Sequence, residues 1–81
     1  MSARQAVALV RLHARKHGFS VIEMVGRGKG SHRLFQLVGP DGTEVARFGV
    51  TDHPGDMSAA LVRRLEQRLA PLFGERWTEK R

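Results

Sequence analysis

The sequence predicts an α+β domain of order αβββα, a three-stranded antiparallel sheet with two helices packed on one face. Three observations carry that expectation. The first and last parts of the chain place apolar residues at three- and four-residue spacing, the signature of amphipathic helices. The stretch between them is built of short runs rich in β-branched and aromatic residues, the third with Ala46, Phe48 and Val50 alternating against Arg47. Glycine-rich and Gly-Pro-Asp-Gly turns separate those runs, as in strands joined by hairpins. With 81 residues the chain is expected to form one domain over 1–81, its thin core at about 2–73 and a polar tail at 74–81.

Helix 1 is expected over about residues 2–17. Ser2 followed by Gln5 is a capping-box pattern, in which each side chain satisfies the other's free amide. Ala3, Ala6, Val7, Val10 and Ala14 then line one face, leaving Arg4, Arg11 and Arg15 on the wetter one. Gly18 after His17 is a helix stop, and Phe19 can fold back on the last turn. Three strands follow, at Phe19–Val25, Ser31–Val38 and Thr43–Val50. A period of two puts Arg33, Phe35 and Leu37 on one face of the second strand, and His32, Leu34, Gln36 and Val38 on the other. With Phe35 and Leu37 toward the helices, His32 lies on the open face. Helix 2 is capped by Asp56 or Ser58. Leu61, Leu65, Leu69 and Leu72 form its apolar ridge, while Arg63, Arg64 and Arg68 are expected to form a solvated face. Pro71 weakens or bends it, because proline has no amide for the Gln67 carbonyl. Trp77, the apolar residue of the tail, is expected to pack back on the body.

Composition narrows the partners. The chain has no cysteine, so neither a disulfide nor a thiolate metal site holds it together, which suits a reducing, cytoplasmic location. No apolar run approaches the length needed to span a bilayer, and the N-terminus lacks the apolar region of a signal peptide, so no membrane partner is expected. The net charge is +6 and the pI near 11.4. Residues 1–33 carry seven cations (Arg4, Arg11, Arg15, Lys16, Arg27, Lys29, Arg33) against one anion, Glu23; from residue 34 onward seven cations meet seven anions. A basic patch of this kind reads as a polyphosphate-binding surface in preference to a merely solubilising one.

The motif that carries chemistry is Ser31-His32-Arg33, reached through Gly26-Arg27-Gly28-Lys29-Gly30. Glycines let a backbone approach a ligand closely, since they lack a Cβ. Histidine is the side chain whose unperturbed pKa lies closest to neutrality. The loop therefore suits an anionic substrate that needs a proton moved, with His32 as the catalytic group. Arg27, Gly28, Lys29, Gly30, Ser31 and Arg33 are the candidate phosphate-binding residues. His13 and His17 stand four apart on helix 1, a spacing that can bind zinc, but the glutamate of a metalloprotease helix motif is missing between them. No metal site is assigned, and His53-Pro54-Gly55 reads as turn chemistry.

Lys16-His17-Gly18-Phe19, Gly30-Ser31-His32-Arg33 and Pro40-Asp41-Gly42 together resemble a HicA-type toxin, the mRNA interferase of HicA–HicB toxin–antitoxin pairs. The resemblance covers about residues 4–70. It implies a fold similar to double-stranded-RNA-binding domains, a catalytic role for His32, and an mRNA substrate. It also implies restraint by a HicB-like antitoxin. The glycine loop looks about one residue longer than that family's, and Phe48-Gly49-Val50-Thr51 replaces its valine-proline-valine-histidine-like strand end.

Such an activity needs little machinery. RNA carries its own nucleophile, the 2′-hydroxyl, so an enzyme has only to orient it, move protons and stabilise phosphorane charge. No metal or other cofactor is expected. Two alternatives stay open: a non-catalytic RNA-binding module of the same fold, and a protein-interaction module with an acidic partner. The first is weakened by Gly55-Asp56-Met57-Ser58-Ala59-Ala60, which lacks the lysine cluster that double-stranded-RNA-binding domains carry at that point.

Overall fold

The computed structural model describes residues 1–25, 32–51 and 55–80. Helix α1 (Ala3–Lys16) is followed by strands β1 (Ser20–Glu23), β2 (His32–Val38) and β3 (Glu44–Thr51), then helix α2 (Ala59–Phe73) and a 3₁₀ turn at Trp77–Glu79. The strands form one antiparallel sheet in the order β1-β2-β3. This is the expected αβββα layout.

Local chemistry fixes the helix ends. Ser2 caps α1 with a full capping box: its hydroxyl accepts from the Gln5 amide at 3.1 Å, and the Gln5 side chain accepts from the Ser2 amide at 2.8 Å. Gly18, at φ +79°, turns the chain out of the helix, a conformation that L side chains rarely adopt. The Phe19 amide then returns to the Ala14 carbonyl at 2.8 Å. Phe19 therefore belongs to the helix end, and β1 starts one residue later than its apolar character suggests. Ser58, one of the two candidate caps, closes the first turn of α2 through the Leu61 amide. The helix runs through Pro71 to Phe73. Gln67 and Pro71 are both exposed, so water can solvate the carbonyl that proline leaves without a donor.

The core lies between one face of the sheet and the two helices. Phe35 and Leu37 of β2 and Phe48 and Val50 of β3 are buried with Ala6, Val10 and Ala14 of α1 and with Leu65, Leu69 and Phe73 of α2. Phe35 and Phe48 are register partners whose rings stack 4.9 Å apart, 10° from parallel. α1 packs on β1 and α2 on β3, so the helices divide the face between them. The alternation of β2 breaks at its end. The register skips Val45 between Leu37 and Val38, and Val38 is buried where strict alternation puts it on the open face. Leu61 and Leu72, at the ends of the expected ridge, are only partly covered.

The segment after Gly74 closes the core. Trp77 is fully buried, edge-on to Phe73 and to His13, and its indole donates to the Glu66 carbonyl at 2.8 Å. Thr78 donates to the Glu66 carboxylate, and His13 Nε2 lies 2.7 Å from the Lys80 carbonyl. The core thus continues well beyond residue 73. Trp77→Ala should destabilise the domain by about 3–5 kcal/mol, a large part of the ~4–12 kcal/mol expected for a chain of this length. Urea unfolding checks this; a loss below about 1 kcal/mol would mean that the turn does not dock.

Candidate functional site

His32 opens β2 on the central strand, opposite Thr51 at the end of β3. Its side chain is exposed, as alternation with the buried Phe35 and Leu37 requires. The Thr51 hydroxyl stands 3.5 Å from His32 Nδ1, at the outer limit of a hydrogen bond, which leaves Nε2 directed elsewhere. His32 contributes to a groove of about 240 Å³ between β3, a free sheet edge, and α2. Its floor is apolar, from Phe48, Val50, Leu61 and Leu65, and the described cations that line it are Arg64 and Arg68. No carboxylate lines it among the described residues. Met57 closes one end, held there by its amide, which donates to the Met1 carbonyl at 2.7 Å.

The other candidate residues divide. Arg27, Gly28, Lys29, Gly30 and Ser31 lie outside the described residues, as does His53. Arg33 is engaged within the fold: it makes a two-pronged ion pair with Glu23 of β1, at 2.9 and 3.0 Å, and its guanidinium carbon lies 5.1 Å from the centre of the Phe35 ring. A cation held this way tethers β1 to β2 instead of reaching for an anion on the far face. Its hydrogen bond holds the Glu23 carboxyl below the usual glutamate range, with attraction from Arg33 and Arg11 adding to it against desolvation.

Arg11 and Arg15 of the basic first helix do not line the groove of the histidine. Arg11 donates to the Val21 carbonyl at 3.3 Å and, with Arg15, lines a hollow against β1, at the sheet edge opposite the groove. Among the described residues, the cations at the groove come from α2, for which the sequence suggests only a solvated face. A signal for them exists. At about 100° per residue, Leu61, Arg64 and Arg68 fall within about 100° on one side of Leu65, whereas Arg63 falls about 160° away. Two arginines therefore border the buried stripe, on its groove side.

His13 and His17 have separate roles in packing. His13 is buried, bonded to the Lys80 carbonyl and stacked on Phe73, while the exposed His17 ring stacks on Phe19 and Phe73. Among the described residues no group of three or more His, Cys, Asp or Glu side chains is placed to hold a metal ion. No helix among them is long and apolar enough to cross a membrane. Compared with known proteins, the chain matches no family model, no curated protein and no solved structure.

The Glu23–Arg33 pair gives a pH test. A carboxylate with a depressed folded pKa contributes stability that is present above its unfolded value and lost as the pH falls through the folded one. Wild-type thermal stability should therefore fall more steeply on acidification through the carboxylate range than that of Glu23→Gln. Superimposable profiles would show that the pair contributes nothing in solution.

Proposed function

We propose that this protein is a metal-independent endoribonuclease of the HicA type, a toxin that cleaves mRNA through His32 and is restrained by a HicB-like antitoxin. The observation that supports it most is the position of His32: an exposed imidazole on a rigid strand, at a groove with two arginines and no described carboxylate. The αβββα order agrees with the fold that the resemblance implies. A free imidazole beside anion-binding cations is the minimum that transesterification of RNA requires.

In this reading the 2′-hydroxyl oxygen attacks phosphorus, the O2′–P bond forms and the P–O5′ bond breaks. One proton leaves the 2′-hydroxyl and one arrives on the 5′-oxygen. His32 moves one of the two, water exchanges the other, and the arginines offset the charge that develops on phosphorus. The Thr51 hydroxyl lies on the Nδ1 side of the ring, 3.5 Å away. Arg27 and Lys29, from the glycine loop, remain candidate phosphate ligands. The chain works in the cytoplasm, where mRNA and antitoxin are both found.

Expression of the wild type in a bacterial host should arrest growth and fragment message, and His32→Ala should do neither. The variant should stay folded, because an exposed histidine contributes little to the core. Equal toxicity in both, or harmless wild type at high expression, sinks the enzymatic reading. Purified protein should cut RNA in EDTA and leave 2′,3′-cyclic or 3′-phosphate ends with free 5′-hydroxyls, and should spare DNA. A requirement for Mg²⁺, or 5′-phosphate products, would assign the chemistry to other residues.

A further inference from the structure

The groove between β3 and α2 supports a more specific inference, which rests on the endoribonuclease reading and extends it. We propose that single-stranded RNA is seated in this groove, with Arg64 and Arg68 clamping a phosphate and the apolar floor around Leu61 receiving the adjoining base.

Arg64 and Arg68 stand one helical turn apart, so their side chains leave α2 as neighbours. Like charges at that spacing repel, and an anion bridging them converts the repulsion into attraction. Nothing among the described residues supplies that anion. Glu66, the one acid of α2, is turned to the other flank and bonded to Thr78. Glu44, on β3, is bonded to Arg47 at 2.6 Å. Arg68 is also pre-positioned: one of its amino groups donates to the Arg47 carbonyl on the free edge of β3 at 3.2 Å. A guanidinium has five N–H donors, so the others remain for a ligand.

The second half of the site is apolar. Leu61 is 39 % exposed and faces the groove, beside Phe48 and Leu65. An apolar surface next to paired arginines suits a ligand with one flat, poorly hydrated part and one anionic part, which is the make-up of a nucleotide. The volume sets the limit. At about 240 Å³ the groove is smaller than the ~300–1,000 Å³ pockets that enclose a drug-sized ligand. It accommodates one base, with the phosphate at its arginine-lined side. A duplex keeps its bases stacked inside, so a base can reach this floor only from an unpaired strand.

The test is binding of a fluorescein-labelled single-stranded RNA oligonucleotide to the full chain, over a range of salt concentrations. Arg64→Gln with Arg68→Gln should weaken binding on the order of tenfold, the loss expected for charge-assisted hydrogen bonds. With one phosphate lost from the clamp, the slope of log affinity against log salt should become shallower by about 0.7. Arg63→Gln, on the far side of the same helix, should leave both unchanged. Leu61→Ala should weaken oligonucleotide binding but not binding of inorganic tripolyphosphate, whereas the arginine pair should weaken both. An arginine-pair variant no weaker than Arg63→Gln overturns the proposal, even where His32→Ala abolishes cleavage and the endoribonuclease reading stands. Equal binding of a duplex with the same dependence on the arginine pair overturns the single-strand assignment. Wild type that binds in the groove but never cleaves sinks the enzymatic reading and retains the binding site. Wild type that binds no RNA overturns both.

Discussion

The stacked pair of Phe35 and Phe48 governs the rest of the structure. Both rings are buried, they are register partners on neighbouring strands, and they meet both helices through one core. A strand's side chains alternate, so a slip of one residue would expose Phe35 and turn His32 inward. Burying two aromatic rings makes that slip costly. The same contact therefore places His32 on the outside of β2 and sets it opposite Thr51. The position of the candidate catalytic group follows from apolar packing three residues away.

α2 has three distinct flanks, and each depends on the others. Leu65, Leu69 and Phe73 enter the core. Glu66 turns to the C-terminal segment, its carboxylate accepting from Thr78 and its carbonyl from the Trp77 indole. Arg64 and Arg68 are left on the third flank, along the groove. Rotating the helix by one residue, about 100°, would bury a charge and break the Trp77 contact. Trp77 thus acts at a distance on the groove: by fixing the rotation of α2, it fixes where the arginines stand. Residues beyond Gly74 contribute to the site without touching it.

Much of this was legible in the sequence because it rests on local signals. The capping box at Ser2 and Gln5, the Gly18 stop and the alternation around Phe35 each depend on residues within a few positions of one another, and each marks the element observed. The strand ends moved by one or two residues: the Phe19 amide is held by the helix end, and β1 stops at Glu23 and not at Val25. Long-range pairing was less legible. Nothing local reveals that Arg33 meets Glu23 across two strands, or that Arg64 and Arg68 line the same groove as His32. The pattern around Leu65 tells which side of the helix is buried, and not what stands along the border of that side, so Arg64 and Arg68 read as solvated.

The charge of the chain and the charge at the groove are therefore separate quantities. Residues 1–33 carry the whole net +6, yet of their cations Arg33 is held by Glu23 and Arg11 lies at the opposite edge of the sheet. Screening over about 8 Å at physiological salt limits what exposed cations at that edge can do for a ligand in the groove. They can raise the rate of encounter with a polyanion, a long-range effect that needs no defined contact. Holding a phosphate in one geometry would need donors at hydrogen-bond distance, and the described cations along the groove belong to a helix whose surrounding sequence is neutral overall. A basic sequence segment marks a molecule that attracts polyanions. Which cations are left without a carboxylate is decided by folding, and among the described residues the groove flank of α2, with Arg64 and Arg68, is such a place.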